Sequence, residues 1–440
     1  MYIVSFNSAE MERFLSKELV AWKASKYRKP LIIQGARQVG KTWLMREFGK
    51  KAFKNVVYLN FESSSRLKEL FVMDYDIQRI ITIIEIETQE KIDIEHTLLI
   101  FDEIQEAEKG LTALKYFYEK APGYFILAAG SLLGTSMQKK HAFPVGKVDF
   151  LQLNPLSFME FLSSIGESAL ADQITQQQWN VVSAFHEKLI AYLRLYYFIG
   201  GMPEAVAHYI ENKDLTAVRE IQEMILIGYE NDFAKYAPND IVPRIKMVWH
   251  SILTQLSKEN RKYIYGQIKK GARAKDFETA INWLSDAGLI VKINRVESGK
   301  LPLSAYLEMD DFKLFLLDVG LLNAKGNLDP TIILEKNKIL VEFKGAFTEQ
   351  YVCQQLVVKR PNQVYYWSAE KASAEIDFVL QEKNAVLPIE VKAEENLKAK
   401  SLKVFVEKYQ TGKAIRTSMS PYREEDWLIN VPLYALESLF

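Results

Sequence analysis

The sequence predicts an α/β protein in four parts: a parallel sheet wrapped by helices, a helical connector, a segment in winged helix-turn-helix order, and a compact terminal α/β unit. Three observations carry this. Between Lys29 and Phe161 short apolar runs (PLIIQG, NVVYLNF, TLLIFDE, YFILAAGS) alternate with helical patterns (KTWLMREFG, LTALKYFYEKA), the mark of a parallel sheet covered by helices. From about Ser163 to Asp240 the strand signal vanishes and apolar residues recur at spacings of three and four. Beyond Thr331 helix and strand patterns alternate again. A chain of 440 residues holds roughly two to four domains at about 100 to 200 residues each. The divisions expected are 1–162, 163–240, 241–330 and 331–440.

Composition narrows the setting. Fifty-six Lys and Arg balance 56 Asp and Glu, which excludes a histone-like polycation and leaves room for a locally basic face. A single cysteine, Cys353, makes neither an intrachain disulfide nor a cysteine-based zinc site, and points to a reducing compartment. The first residues carry acids and no apolar stretch of signal length, and no membrane-length apolar run follows, so a cytoplasmic protein with no membrane partner is expected.

The first part contains the strongest motif. Gly35-Ala36-Arg37-Gln38-Val39-Gly40-Lys41-Thr42 fits G-x-x-x-x-G-K-[ST], between the strand-like PLIIQ and the helix-like KTWLMREFG, as that motif requires. The glycines let the backbone N–H groups and the helix N-terminus face phosphate oxygens, and Lys41 neutralises the β and γ charges of ATP. Thr42 would hold magnesium. Leu98-Leu99-Ile100-Phe101-Asp102-Glu103 is an apolar run ending in two acids, the way a buried parallel strand delivers carboxylates to the sheet edge where ligands bind. Asp102 would act on magnesium through its water shell and Glu103 would polarise the attacking water. The strand Tyr124–Ala129 ends at Gly130-Ser131, where the hydroxyl of Ser131 would sense the γ-phosphate or the water, although glycine and serine also simply end strands.

In the connector, VVSAFHEKLIAYLRLYYFIG and AVREIQEMILIGYENDFAKY read as helices broken at Gly200, Gly201 and Pro203, with Tyr192, Tyr196 and Tyr197 as core residues. In the third part, IKMVWHSILTQLS, IYGQIKKGARA and KDFETAINWLSDAGLIVKINRV predict three helices followed by strands. Lys258, Arg261, Lys262, Lys269, Lys270, Arg273 and Lys275 crowd this stretch; DNA phosphates and a solvated charged face account for them alike. His96, His141, His186, His208 and His250 show no metal-ligand spacing.

GARQVGKT, LIFDEIQ, the AAGS strand end, PVGKVDFLQLNPLSFMEFL, GGMPEAV and YENDFAKY together resemble the AAA+ ATPases of a widespread prokaryotic family that carry an uncharacterised C-terminal domain. The resemblance spans nearly the whole chain and implies a P-loop NTPase core of AAA+ type. AAA+ cores often self-associate, and family members tend to place an arginine able to serve a neighbouring subunit's γ-phosphate where this chain has Lys147, a departure that weakens the trans role and leaves a plain surface lysine as the other reading. Lysine keeps the charge and loses the bidentate fork.

Near the C-terminus polar residues sit inside apolar strands. Phe347–Val352 opens a helix, and Glu375–Leu380 and Pro388–Ala393 read as strands in which Glu390 and Lys392 share a face. Asp377, amid Ile376, Phe378 and Val379, would be partly desolvated unless a divalent cation met it. The set resembles the PD-(D/E)xK nuclease superfamily, with its restriction-endonuclease-like α/β fold: a helix glutamate (Glu349), an acid on the next hairpin (Asp377) and an E-x-K strand (Glu390, Lys392). The resemblance implies that Asp377 and Glu390 bind magnesium with help from Glu349, while Lys392 activates water or stabilises charge during phosphodiester hydrolysis. Three functions compete on these grounds: an ATPase coupled to a nucleic-acid-binding module, a metal-dependent DNase regulated by ATP, and a nucleotide-gated switch that binds protein or DNA without turnover.

Overall fold

The computed structural model describes residues 11–130, 144, 146–258, 262–329, 341–369, 374–393 and 399–440, without the side chains of 341–343. The chain forms two compact units, one of Glu12–Asn154 with Asp286–Gly288, the other of Pro155–Ser285 with Leu289–Phe440.

The first unit starts with α1 (Leu15–Ala24) and continues β1 (Leu31–Gln34), α2 (Lys41–Ala52), β2 (Asn55–Asn60), α3 (Ser65–Lys68), α4 (Ile77–Thr88), β3 (Thr97–Asp102), α5 (Gly110–Lys120), β4 (Phe125–Ala129) and β5 (Asp149–Gln152). The strands form one sheet in the order β2-β3-β4-β1-β5, and every pairing is parallel. Every residue of β3 and β4 is buried, which is why they read as unbroken apolar runs instead of alternating ones. Phe61, Phe71, Phe101 and Phe117 pack edge-on or tilted in the core on one side of the sheet. The sequence periodicity does not reveal β5: it is four residues long, alternates half-buried with exposed, and lies at the sheet edge.

The second unit opens with helices α6 (Phe158–Ser164), α7 (Ser168–Thr175), α8 (Trp179–Ala184), α9 (His186–Ile199), α10 (Pro203–Asn212), α11 (Leu215–Tyr236), α12 (Val242–Leu256) and α13 (Ala274–Asp286). Strands β6 (Ile290–Val296) and β7 (Leu307–Leu316) follow, then α14 (Val319–Lys325), α15 (Val341–Lys359), β8 (Val364–Ser368), β9 (Glu375–Glu382), β10 (Ala385–Val391), α16 (Lys400–Tyr409), β11 (Ala414–Ser418), β12 (Arg423–Glu424) and β13 (Leu428–Pro432).

The helical region from Ser163 to Asp240 is as expected, and its break has a specific cause. A Cβ on Gly201 would lie 2.1 Å from the carbonyl oxygen of Leu156, and Gly200 takes φ 72°. Gly201 N–H donates to Asp318 Oδ2 at 2.6 Å, and Leu156 N–H donates to Gly201 O at 2.7 Å. Asp318, fully buried, also accepts from Leu321 N–H at 3.0 Å, capping α14, and from Gln354 Nε2 at 3.0 Å. Pro203 then opens α10 at its first turn, where its missing N–H costs nothing.

One expectation changes. IYGQIKKGARA is not a helix: only a 3-10 turn over Tyr265–Gln267 forms, because Gly266 and Gly271, the latter at φ 82°, interrupt any longer run. Strands from both sides of residue 330 share one eight-stranded sheet of order β12-β13-β11-β10-β9-β8-β6-β7, in which β6 pairs in parallel with β8 at Arg295↔Tyr366 and Val296↔Trp367.

Replacing Gly201 by Ala is expected to cost about 1–3 kcal/mol, because the new methyl meets backbone, not a side chain that can move aside. Urea denaturation of the full chain checks this, and an unchanged midpoint for the transition of the second unit would contradict the close approach.

Candidate functional site

The phosphate-type loop joins β1 to α2. Gly40 caps α2 at φ 94° and Gln38 takes φ 67°, which gives the loop its curl. Gly35 has no room for a side chain, since a Cβ would lie 2.3 Å from Leu153 O. Lys41 is 6% exposed, and its Nζ donates to the carbonyls of Gly35 at 2.9 Å and Ala36 at 2.7 Å. Burial lowers its pKa to about 8, while Glu103 and Asp102 pull the other way. Ala36 and Val39 are buried, Arg37 is half-buried, and the Arg37 charge works against that of Lys41.

The second strand motif lands beside this loop. Thr42 Oγ1 donates to Asp102 Oδ2 at 2.7 Å, and so does Tyr58 Oη at 2.8 Å. Asp102 is 3% exposed, and burial raises its carboxyl pKa against the opposing pull of these two hydroxyls. Glu103 follows at φ 51°, and Gln105 Nε2 donates to its Oε2 at 2.6 Å. The residue types and spacing fit MgATP: a lysine at the curled loop, a hydroxyl and a carboxylate side by side, and a second carboxylate at the strand end. Ser131 lies outside the described residues. Lys147 makes an ion pair with Glu119 at 3.0 Å.

Sequence reasoning missed Arg13. It is 3% exposed and donates from Nη1 to Val39 O at 3.0 Å and from Nη2 to Asn154 O at 2.6 Å, tying the loop to the end of the sheet. No motif surrounds it, so nothing local in the sequence signals the role. Tyr58 was equally silent, a single tyrosine in the strand NVVYLN.

The C-terminal polar residues divide into two groups. Asp377 Oδ2 accepts from Val391 N–H at 2.8 Å, and Lys392 Nζ pairs with Glu390 Oε1 at 2.6 Å. Burial raises the Glu390 carboxyl pKa against the pull of Lys392, with Asp377 adding to the rise and Arg416 opposing it. Glu390 Oε2 is buried and has no hydrogen-bond partner among the described residues. Arg416, opposite Glu390 in the β10–β11 register, is 2% exposed and donates from Nε to Asn430 Oδ1 at 2.9 Å. Buried Lys313 lies 3.7 Å from Glu349 Oε2 and 2.5 Å from Glu375 Oε1. Among the described residues no group of three or more His, Cys, Asp or Glu side chains is placed to hold a metal ion.

In the third part, Lys258, Lys269, Lys270, Arg273 and Lys275 are exposed, whereas Lys262 is paired with Asp311. Arg261 lies outside the described residues. No helix among the described residues is long and apolar enough to cross a membrane.

Comparison with known proteins agrees with the first site. Residues 27–162 match the AAA domain. The region that holds the loop and the strand ending in Asp102 is thus similar to the AAA domain. Residues 190–331 match a domain of unknown function (DUF8612), and residues 344–436 match another (DUF4143). No curated protein matches the chain. Among solved structures, the Walker-type ATPase PABY2304 of Pyrococcus abyssi is 14% identical with a TM-score of 0.45, covering 72% of this chain and 96% of that one. The Aeropyrum pernix ORC1 protein in complex with DNA is 12% identical with a TM-score of 0.29, covering 72% and 91%. The Thermotoga maritima RuvB Holliday junction branch migration motor is 15% identical with a TM-score of 0.29, covering 66% and 88%. At these scores the superpositions add nothing to the family match.

Lys41 yields a pH prediction. Burial holds its pKa at about 8, below the ordinary 10.5, and bound phosphate favours the charged form. ATP binding above about pH 8 therefore takes up a proton, and affinity falls as pH rises further. Calorimetry at about pH 8.5 in buffers of different ionisation enthalpy should show the uptake. K41A should lose it; heats independent of buffer in the wild type would contradict the assignment.

Proposed function

We propose that the chain is a magnesium-dependent ATPase whose nucleotide state governs a C-terminal nucleic-acid-binding, nuclease-like module. The observation that carries the first half is the bond from Thr42 Oγ1 to Asp102 Oδ2 at 2.7 Å, which joins the two motifs into one site with Lys41 at its loop. In this reading Lys41 leaves the Gly35 and Ala36 carbonyls for the β- and γ-phosphates, and the loop N–H groups from Gly35 to Thr42 cradle the rest. Thr42 and Asp102 would hold magnesium, directly and through water; the ion supplies charge neutralisation for phosphoryl transfer. Glu103, steadied by Gln105, orients and deprotonates the attacking water, and Ser131 is retained as the sensor. ATP turnover should fall by two or more orders of magnitude in K41A and in E103Q, and E103Q should still bind ATP. A K41A protein with wild-type affinity and turnover would overturn the proposal.

The second half rests on topology and chemistry together. The run α15-β8-β9-β10-α16-β11, with β8, β9 and β10 antiparallel in turn and β11 parallel to β10, supports a nuclease-like fold. Glu390 Oε2, buried without a hydrogen-bond partner among the described residues, and the Asp377 charge that acts on Glu390 support a cation there, with Glu349 assisting. Lys392 would orient water or balance charge. The helix, turn, helix and hairpin from α12 to β7 support a winged-helix reading, and its exposed lysines and arginine support DNA contact. The deciding assay measures ATPase and cleavage activity, with and without DNA, in wild type, K41A, E103Q, D377A and K392A. Stimulation of turnover by DNA supports coupling. Cleavage that D377A or K392A abolishes and E103Q spares favours the DNase reading, in which ATP regulates. ATP binding without turnover favours the switch.

A further inference from the structure

We infer that Tyr58 is a positioning residue of the nucleotide site, holding Asp102 in place while Thr42 is engaged by magnesium. The inference rests on the ATPase reading above. Oδ2 of Asp102 receives two hydroxyl donors, Thr42 at 2.7 Å and Tyr58 at 2.8 Å, and Oδ1 receives the Glu103 N–H at 3.2 Å. Thr42 is the donor that changes work when the ion arrives, because its oxygen turns a lone pair toward the metal. Tyr58 has no such second task. It reaches Asp102 from β2, the neighbouring strand, where Asn60 is the register partner of Asp102.

The ring of Tyr58 is itself fixed. The Arg46 guanidinium lies 3.8 Å from its centroid, and Arg46 Nε, buried, has no hydrogen-bond acceptor among the described residues, so the ring face is a contact it keeps. Arg46 stands one turn beyond Thr42 on α2, so the same helix presents one side chain to Asp102 and another to the residue that braces Asp102. Asn60 Nδ2 donates to Tyr58 Oη at 3.4 Å, which orients the phenol so that its own proton goes to the carboxylate. Thr42, Asp102, Tyr58 and Arg46 thereby close a ring of contacts through α2, β3 and β2.

Tyr58→Phe tests this, since it keeps the ring and its stack on Arg46 and removes only the hydroxyl. A hydrogen bond to a carboxylate of this kind corresponds to about a three- to tenfold change. The magnesium concentration for half-maximal turnover should rise by that factor, while affinity for a fluorescent ATP analogue measured in EDTA stays within about twofold of wild type. An unchanged magnesium requirement, or an equal loss of affinity in EDTA, would overturn the positioning role. Should Y58F not fold, Arg46→Lys, which loosens the ring and leaves the hydroxyl, is expected to raise the magnesium requirement in the same direction; no rise would overturn the inference. Failure of the ATPase reading is separately visible: wild-type protein would then show no magnesium-dependent turnover, whether or not it binds the analogue.

Discussion

The nucleotide site depends on one buried carboxylate. Asp102 ends a strand that is apolar along its length, so its charge is brought to the sheet edge by residues that cannot themselves reach water. Such a group is costly unless hydrogen-bonded. Thr42, Tyr58 and the Glu103 N–H supply those bonds, and each comes from a different part of the chain. The loop, the helix behind it and the neighbouring strand are located relative to one another through this oxygen pair. Arg13 does the corresponding work on the other side of the loop by holding Val39 O and Asn154 O.

The second unit is organised by the same means. Asp318 is buried and collects Gly201 N–H, Leu321 N–H and the Gln354 amide, so a break between two helices, the start of a third and the face of a fourth meet at one acid. The glycines at 200 and 201 are there because the backbone of Leu156 and the Asp318 carboxylate leave no space for a Cβ. Around this node the hairpin of β6 and β7 continues into the terminal sheet through Arg295 and Val296, so the helical segment before it and the strands after it share one hydrogen-bonded framework.

The C-terminal polar cluster is balanced internally to a degree that bears on its chemistry. Lys313 faces Glu349 and Glu375, and Lys392 faces Glu390. Arg416 stands across the β10–β11 register from Glu390. The second oxygen of Glu390 is buried without a hydrogen-bond partner among the described residues, and the Asp377 charge acts on it. A bond from Val391 N–H steadies Asp377.

Local pattern carried much of this into view. The curl and lysine of the loop, the apolar strand ending in Asp102 and Glu103, the glycine break at 200 and 201, and the E-x-K strand all depend on spacing within a few residues, and spacing is written in the sequence. The match to the AAA domain over residues 27–162 agrees with what the loop and strand already implied. The failures have separate causes. IYGQIKKGARA has helical composition but two glycines, and short β5 has no period to detect. Arg13, Tyr58 and Lys313 are single residues whose partners are distant in sequence, 141 positions away in the case of Arg13 and Asn154. The sequence by itself determined which side chains have the chemistry to bind phosphate and divalent cations. Tertiary structure alone decided which of them share a site, because the cost of burying a charge is settled by the groups that surround it in space.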